Sequence, residues 1–322
     1  MRTYLVTGGA GFIGSHLVRS LQDAGHSVRV LDDMSTGRRD RLRDGTTIIE
    51  ADVCDNDALR AGMSGVTACF HLAAIADVQR CDTDRRECNR VNAGATVSVF
   101  DVASQLGGVP VVWASSAAVY GSAGMGTKLK ETDPVKPISV YGADKLSSEL
   151  HGAIAATYGV PNIGLRFFNV YGKGQNPNSP YSGVLSIFCN RAQENQKITI
   201  FGDGEQTRDF VHVSDVVRAL VESAAYLVTN RETPEAFILN VCAGKPTSLH
   251  DIIGFLEQFQ GRALDVEYAP SRRGDISTSC GDPSAMSALL GITVDLEVFD
   301  GLPDLLSDRD GSAPLLTEVF AK

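Results

Sequence analysis

A tyrosine and a lysine four residues apart have the types and spacing needed for proton transfer. Tyr141 and Lys145 stand in the segment YGADK, and residues four apart share one face of a helix. A lysine ammonium beside a phenol favours the phenolate, so it should lower the tyrosine pKa from about 10 toward neutrality. A phenolate is a competent general base for an alcohol proton. Ser116, in the segment WASSAAVYG, offers a hydroxyl that could hold the same substrate oxygen.

A glycine-rich loop close to the start of the chain has the pattern of a phosphate-binding turn. The segment TGGAGFIG, residues 7–14, follows a short apolar run and precedes a helical pattern. Such a loop lets a pyrophosphate approach the backbone and the start of the helix. Asp32 closes the next strand, where an acid binds the hydroxyls of an adenosine ribose. A carboxylate there would repel a 2′-phosphate, which favours NAD over NADP, although Arg38 and Arg39 follow closely.

The elements that must position these residues alternate between strands and helices. This alternation predicts an α/β fold, a Rossmann-type doubly wound parallel sheet with a smaller C-terminal lobe. The predicted strands cover residues 4–6, 28–31, 46–50, 66–72, 109–114 and 162–168, and the predicted helices cover 12–24, 90–105 and 141–158. The pattern changes near residue 170. We therefore expect an NAD-binding domain over 1–170 and, interleaved with it, a mainly substrate-binding lobe over 171–322.

The composition excludes several classes of protein. The chain has 322 residues, of which 43% are hydrophobic and 21% charged, so disorder, collagen and coiled coil are excluded as the main architecture. A net charge of −10 makes the chain a poor binder of nucleic acid. Because no apolar run approaches the roughly 18 residues of a membrane helix, no membrane span is predicted.

The cysteines and the first residues bear on the cellular compartment. The seven cysteines are scattered, odd in number and without a C-x-x-C pair, which predicts free thiols in a reducing compartment. The first apolar run is too short for a signal peptide and leads directly into the glycine loop. We therefore expect a cytoplasmic protein, and the sequence predicts no metal site.

Taken together, these segments resemble the extended short-chain dehydrogenase/reductase family, and within it the UDP-glucose 4-epimerase group. The resemblance covers most of the chain, and its matching segments occur in the family's order. They are TGGAGFIGSHL (7–17), LDDMSTG (31–37), ADV (51–53), HLAA (71–74), SSAAVYG (115–121), YGADK (141–145), LRFFNVYG (165–172), FGDGEQTRDFVHVSD (201–215) and RRGD (272–275).

The resemblance implies a role for each matching residue. It implies that Ser116, Tyr141 and Lys145 are catalytic. The residues that it implies for NAD binding are Gly8, Gly11, Phe12, Ile13, Gly14, Asp32, Ser35, Thr36, Gly37, Asp52, Val53, Leu72, Ala73, Ala74, Asn92, Tyr141, Lys145 and Phe168. The residues that it implies for the UDP-sugar substrate are Ser116, Asn169, Val184, Thr199, Phe201, Arg208, Arg272, Asp275 and Ser279.

Two of these residues also have a physical reason to bind the substrate. A diphosphate needs local cations in an acidic protein, and the guanidinium groups of Arg208 and Arg272 can fork onto phosphate oxygens. For Arg208 the alternative is a surface ion pair with Asp209, its neighbour in the sequence.

Several chemistries share this scaffold, and the resemblance separates them by the residues that follow Ser116. Related dehydratases place Asp and Glu there, and decarboxylases typically place a Glu, whereas this chain has Ala117 and Ala118. Without those acids the available cycle is oxidation, rotation of the keto sugar and reduction on its other face, which inverts C4. A 4,6-dehydratase, a UDP-glucuronate decarboxylase and a non-catalytic NAD-binding scaffold remain the alternatives.

The choice of sugar and the oligomeric state stay open. The resemblance implies that Ser279 borders the sugar, where a small residue admits UDP-N-acetylglucosamine as well as UDP-glucose or UDP-galactose. UDP-glucuronate would need a cation for its carboxylate, and the candidates are Arg80, Lys173 and Arg191. The resemblance also implies a homodimer through the helices at 90–105 and 141–158, where Leu146, Leu150 and Ile154 follow helical spacing, although core packing would explain them equally well.

Overall fold

The computed structural model describes residues 1–122, 126–175, 183–271 and 276–306. Its strands are β1 Thr3–Thr7, β2 Ser27–Asp32, β3 Thr47–Glu50, β4 Ala68–His71, β5 Val111–Ser116, β6 Asn162–Phe167, β7 Asn169–Tyr171, β8 Ile198–Phe201, β9 Thr207–His212, β10 Ala236–Val241, β11 Pro246–Ser248 and β12 Val266–Ala269. Its helices are α1 Phe12–Asp23, α2 Asn56–Met63, α3 Val78–Thr83, α4 Arg85–Asn89, α5 Ala95–Gln105, α6 Val140–Thr157, α7 Val184–Gln193, α8 Val213–Thr229, α9 Leu249–Gln260, α10 Ser284–Leu290 and α11 Val298–Leu306.

A seven-stranded parallel sheet forms the centre of the molecule, in the order β10-β6-β5-β4-β1-β2-β3. Its central strands are buried along most of their length because helices cover both faces. On one face α1, α8 and α10 contribute Leu17, Leu220 and Met286 to the core. On the other face α2, α5 and α6 pack around Trp113. The predicted fold class, a doubly wound Rossmann-type sheet, is confirmed.

A smaller set of elements packs beside the carboxyl ends of the sheet strands. It contains a three-stranded sheet in the order β11-β9-β7 and the parallel pair β12-β8. Helices α7, α9 and α11 cover these strands around a separate apolar cluster that includes Phe188 and Phe210. The division near residue 170 stays a prediction, and β10, α8 and α10 lie beyond that point while packing with the central sheet.

The predicted helix over 90–105 begins with a π-helical turn, Arg90–Gly94, that precedes α5. The Asn92 carbonyl in this turn accepts hydrogen bonds from the hydroxyls of Thr96, at 2.7 Å, and Ser148, at 3.4 Å. Those side chains occupy the oxygen that a regular helix would use for its own backbone. The π turn therefore sets the position of Asn92, and such turns are frequent at functional sites.

The prediction that all seven cysteines are free is wrong for one pair. Cys81 on α3 and Cys88 on α4 form a disulfide, because the bend between these short helices brings their Cα atoms to 5.3 Å. Cys54, Cys69, Cys189, Cys242 and Cys280 are free thiols. Of the helices that the structure describes, none has both the length and the apolar character that a membrane span requires.

His71 ends β4 beneath the edge of the sheet and is 3% exposed. Its Nδ1 lies 2.8 Å from the Thr7 hydroxyl, and its Nε2 lies 3.1 Å from the Thr96 hydroxyl. Burial, with repulsion from Lys145 as a smaller cause, lowers the pKa of His71 from 6.5 to about 3. The folded protein therefore holds this imidazole neutral where the unfolded chain would protonate it.

This difference makes the stability of the fold depend on pH. The unfolded chain binds the extra proton between pH 6.5 and about 3, so His71 should remove about 1.4 kcal/mol of stability for each pH unit below 6.5. We expect His71→Gln, whose amide does not titrate, to flatten the curve of unfolding free energy against pH, measured by urea titration. His151→Gln removes an exposed imidazole from α6 without touching the contacts of His71 and is the matched control. Parallel curves for wild type and His71→Gln between pH 6.5 and 4 would contradict the assignment.

Candidate active site

The turn from β1 into α1 has the shape of a dinucleotide cradle. Gly8 has a φ of 69°, and a Cβ there would lie 2.7 Å from the Ala73 amide nitrogen of the neighbouring loop. Gly11 precedes the first residue of α1 and caps the helix without a side chain, while Gly14 is buried in the first turn. Backbone amides at such a helix start attract phosphate. Phe12 and Ile13 lie in the same first turn and are half-buried.

Asp32, at the end of β2, fixes the far side of this cradle. Its carboxylate accepts hydrogen bonds from the amides of Ala10 and Met34, each at 2.9 Å. Burial raises the pKa of Asp32, and these two hydrogen bonds oppose that effect. The remaining predicted residues of this region lie beside it. Gly37 packs on the Asp32 carboxylate, Ser35 and Thr36 are exposed, Asp52 is half-buried and Val53 is buried.

The loop after β4 closes the cradle from the other side. The Leu72 amide donates to the Thr7 carbonyl at 3.1 Å, and the Ala73 amide donates to the Thr7 hydroxyl at 3.2 Å. Asn92 holds the same loop, because its side chain accepts from the Ile75 amide at 2.8 Å and donates to the Ile75 carbonyl at 3.1 Å. These contacts make Asn92 a support for the loop that carries Leu72, Ala73 and Ala74. The glycine turn, Asp32 and this loop fit a dinucleotide together.

The three residues predicted to be catalytic come together where β5 meets α6. Ser116 is the last residue of β5, and its hydroxyl accepts from the Ala118 amide at 3.2 Å. Ser116 lies close enough to Tyr141 to lower the pKa of its phenol. The Lys145 ammonium donates to the Ala114 carbonyl at 2.8 Å and lies 5.8 Å from the centre of the Tyr141 ring.

The beginning of α6 approaches the end of β5 closely enough to bring Ser116, Tyr141 and Lys145 together. The helix begins after Ser139, whose hydroxyl accepts from the Gly142 amide at 3.1 Å. A Cβ on Gly142 would lie 2.6 Å from the Ala118 carbonyl oxygen. A larger residue would therefore push the helix away from the turn that follows Ser116, and Tyr141 with it.

The expected shift in the pKa of Tyr141 is corrected by the structure. Burial raises the pKa of Tyr141, and Ser116 only partly opposes this effect. Burial also lowers the pKa of Lys145 from 10.5 to about 8. Spacing along a helix predicts that the two residues are neighbours, but it does not include the cost of holding a phenolate away from water. In the protein alone, Tyr141 is therefore a neutral phenol.

Apart from Ser116, the described residues that are predicted to bind the substrate lie in or beside the smaller set of elements. Thr199 on β8 donates to the Glu267 carboxylate at 2.9 Å, and Phe201 ends the same strand. Arg208 on β9 is half-buried and donates to the Thr207 carbonyl at 2.9 Å. Val184 is the first residue of α7, and Asn169 is the first residue of β7; both are half-buried. Arg272 and Asp275 lie outside the described residues.

Ser279 and Phe168 connect this region to the edge of the central sheet. Ser279 is buried, and its amide donates to the Thr207 carbonyl at 3.2 Å, which places it beside the strand of Arg208. Phe168 directly follows β6 and is 6% exposed, in a cluster with Tyr120 and Cys242. Its ring packs so closely on Gly281 that a Cβ there would lie 2.7 Å away. A direct contact of Phe168 with a nicotinamide stays a prediction.

Asp209 is a residue that the sequence analysis treated only as the surface partner of Arg208. It is fully buried, and its carboxylate accepts hydrogen bonds from the amides of Ala243 at 2.8 Å, Gly244 at 2.9 Å and Gly281 at 3.1 Å. Burial raises the pKa of Asp209 to about 6. Asp209 thereby holds the segment that carries Ser279 against the end of β10. Its signal in the sequence is an acid that directly precedes the two apolar residues of β9, Phe210 and Val211.

The three cations considered for a sugar carboxylate are in different places. Arg80 is exposed on α3. Arg191 on α7 donates to the Lys197 carbonyl at 2.9 Å and lies 3.5 Å from the Thr199 hydroxyl. The Lys173 carbonyl lies 2.8 Å from Nε2 of His16 on α1. Of the three, Arg191 is therefore in contact with a residue predicted to bind the substrate.

Comparison with solved structures extends over almost the whole chain. The UDP-glucose 4-epimerase of Thermotoga maritima, solved with UDP-glucose, superposes with a TM-score of 0.88 at 30% identity, covering 95% of this chain and 97% of that one. The UDP-N-acetylglucosamine 4-epimerase of Methanobrevibacter ruminantium, solved with UDP-N-acetylmuramic acid, gives 0.87 at 32% identity, covering 95% and 97%. MoeE5, solved with UDP-glucuronic acid and NAD, gives 0.83 at 32% identity, covering 95% and 98%.

The family itself is assigned by the sequence. The sequence model described as "NAD dependent epimerase/dehydratase family" matches residues 4–241, which include the glycine turn, Asp32, Ser116, Tyr141 and Lys145. The family resemblance that these segments carry is confirmed, and the chain belongs to the NAD dependent epimerase/dehydratase family.

Proposed function

We propose that this protein is an NAD-dependent UDP-hexose 4-epimerase that inverts C4 of the sugar through a 4-keto intermediate. The observation that carries the proposal is that Ser116, Tyr141 and Lys145 come together where β5 meets α6. Ser116 is the last residue of β5. The neighbouring strand β4 leads into the loop with Ala73 that closes the dinucleotide cradle. When bound, NAD supplies the hydride chemistry at C4.

The chain's own residues divide the proton work between them. Tyr141 takes the proton of the C4 hydroxyl and returns it after the sugar has turned, while the Ser116 hydroxyl holds the same oxygen. Lys145 lies over the Tyr141 ring and supplies the positive charge that a phenolate requires. Because burial disfavours that phenolate in the protein alone, Tyr141 needs further positive charge from the loaded site before it becomes a strong base.

The alternatives on this scaffold need groups that are absent from the turn after Ser116. Elimination of water across C5 and C6 requires an acid and a base, and Ala117 and Ala118 occupy the two positions concerned. The same two alanines disfavour a UDP-glucuronate decarboxylase, because such an enzyme typically carries a glutamate there. A non-catalytic scaffold has no need of Ser116, Tyr141 and Lys145 in contact, yet the three are together.

The first test is removal of the phenol. We expect Tyr141→Phe to lower kcat with UDP-glucose by a factor on the order of 10²–10⁴, because a general base is lost, while NAD stays bound. Turnover is measured by galactose release after mild acid hydrolysis, and bound NAD is assayed after denaturation. Tyr226→Phe on α8 makes the same chemical change away from the site and should match wild type. Near-normal turnover of Tyr141→Phe, or protein purified with less than about a tenth of an equivalent of NAD(H), would contradict the proposal.

Ser279 is proposed to decide which sugars fit. The side chain is small and stands beside β9, which supports room for a 2-acetamido group. We expect Ser279→Tyr to lower kcat/KM for UDP-N-acetylglucosamine relative to UDP-glucose by at least tenfold, an amount within reach of a steric contact. Ser277→Tyr, exposed two residues earlier, is the matched control. If the ratio of the two substrates stays constant in Ser279→Tyr, Ser279 does not line the pocket.

UDP-glucuronate is a second candidate substrate, and one comparison favours it specifically. MoeE5, which matches this chain over 95% of its length, is solved with UDP-glucuronic acid. Its carboxylate would need a cation or several donors here, and the contact of Arg191 with Thr199 supports Arg191 as the cation. Side-by-side kcat/KM values for the three UDP-sugars decide which is preferred.

The oligomer is proposed to be a homodimer through the outer faces of α5 and α6. Leu150, Ile154 and Tyr158, spaced four apart, are 63%, 51% and 72% exposed, and Val97 on α5 is 37% exposed. Leu146 instead packs on the cluster around Phe168 and does not belong to this face. An apolar stripe of this kind on two adjacent helices supports burial against a second copy.

The dimer is tested by placing a charge in that stripe. We expect Ile154→Glu to convert a dimer into a 34.3 kDa monomer in sedimentation velocity, because an unpaired charge is costly at an apolar interface. Phe259→Glu on α9, which is 53% exposed, introduces the same charge elsewhere and should leave the mass unchanged. A wild-type monomer at micromolar concentration would contradict the proposal.

A cytoplasmic location stays a prediction. The argument for it from seven free thiols no longer holds, because Cys81 and Cys88 form a disulfide.

A further inference from the structure

Directly behind the catalytic residues, the structure buries a charged network that the proposed chemistry does not use. Glu149 on α6 and Arg166 on β6 form a forked pair, with Nε–Oε1 and Nη2–Oε2 distances of 2.8 and 2.7 Å. Their side chains are 7% and 5% exposed. The Ser115 hydroxyl donates to the same Glu149 carboxylate at 2.6 Å. One carboxylate on α6 therefore joins two neighbouring strands of the central sheet.

The residues of this network lie close to the catalytic residues along both α6 and β5. Tyr141, Lys145 and Glu149 follow one another at intervals of four residues, so they lie on one face of α6. On β5, Ser115 directly precedes Ser116, and Ser115 is paired with Arg166 across the parallel strands. The contacts of Glu149 consequently lie one residue from the catalytic hydroxyl and two helical turns from the catalytic phenol.

The Arg166 end of the network is itself held rigidly. Its guanidinium lies 4.6 Å from the centre of the Tyr120 ring, where a cation is attracted to the aromatic face. The Tyr120 hydroxyl donates to the Asn240 side chain on β10 at 2.7 Å. Arg166 is thus held in place by its neighbours, and it links α6 to the adjacent strands β5, β6 and β10.

We propose that Glu149 is a positioning residue that, through Ser115 and Arg166, fixes the rotation of α6 so that Tyr141 meets Ser116. This inference rests on the proposed function, because it assumes that these two residues are catalytic. A buried ion pair is a weak source of stability compared with an apolar pair of the same size. A forked pair does, however, define direction as well as distance, and direction is what a catalytic face of a helix requires.

The experiment separates positioning from stability. We expect Glu149→Gln, which keeps an acceptor for Ser115 but loses the charge facing Arg166, to lower kcat roughly ten- to a hundredfold, the effect of a small misplacement of reacting groups. KM for UDP-glucose and bound NAD per chain should stay at wild-type values. Ser115→Ala leaves the ion pair intact and should lower kcat by less, again without a change in KM. This second variant keeps the test valid if Glu149→Gln fails to fold.

Asp215 provides the matched control on the opposite face of the sheet. It is a buried carboxylate on α8 that bonds to Arg218 at 2.9 Å and accepts from two backbone amides. Asp215→Asn should lower the melting temperature while keeping the wild-type kcat. A Glu149→Gln protein that loses stability but keeps the wild-type kcat per NAD-loaded chain would overturn the positioning role. Turnover by Tyr141→Phe in the same assay would instead overturn the proposed function, so the two failures are distinguishable.

Discussion

The close attachment of α6 to the end of β5 is the constraint on which the rest of this site depends. Ser116 and Tyr141 belong to different elements, and they meet only because Gly142 lets the helix begin against the Ala118 carbonyl. Lys145 then reaches the Ala114 carbonyl, and farther along Asn162 bridges Trp113 and the backbone of Gly152. A helix that is held at several points by β5, by the turn after it and by β6 has little freedom to rotate, which is what a preorganised acid–base pair requires.

Burial at this attachment has an electrostatic cost that shapes the chemistry. Removal of water raises the pKa of Tyr141 and lowers that of Lys145, so both groups move toward their neutral forms. In the protein alone, Tyr141 is therefore a phenol and not yet a base. A base that becomes strong only in a loaded site would limit side reactions of the empty protein, and this follows from ordinary desolvation rather than from any special residue.

The smaller set of elements is joined to this edge by backbone contacts rather than by an apolar interface alone. The Asp209 carboxylate accepts hydrogen bonds from three backbone amides in two separate segments. The Thr207 carbonyl accepts a hydrogen bond from the Ser279 amide. Both contacts lie on β9, next to Arg208. The strand that carries the proposed phosphate ligand is thus the same strand that sets the position of the proposed sugar-contacting residue, so the two are not free to move independently.

The sequence by itself determined the alternation of strands and helices, the glycine turn, Asp32 at the end of β2 and the tyrosine–lysine spacing, because each is a local pattern. It could not determine which residues of different elements come into contact. The disulfide between Cys81 and Cys88, the three amides around Asp209 and the fork of Arg166 onto Glu149 all join elements whose distance is set by packing. The pKa of Tyr141 belongs to the same class: helical spacing predicts a lysine beside the phenol, but only the folded protein excludes the water that would have stabilised the phenolate.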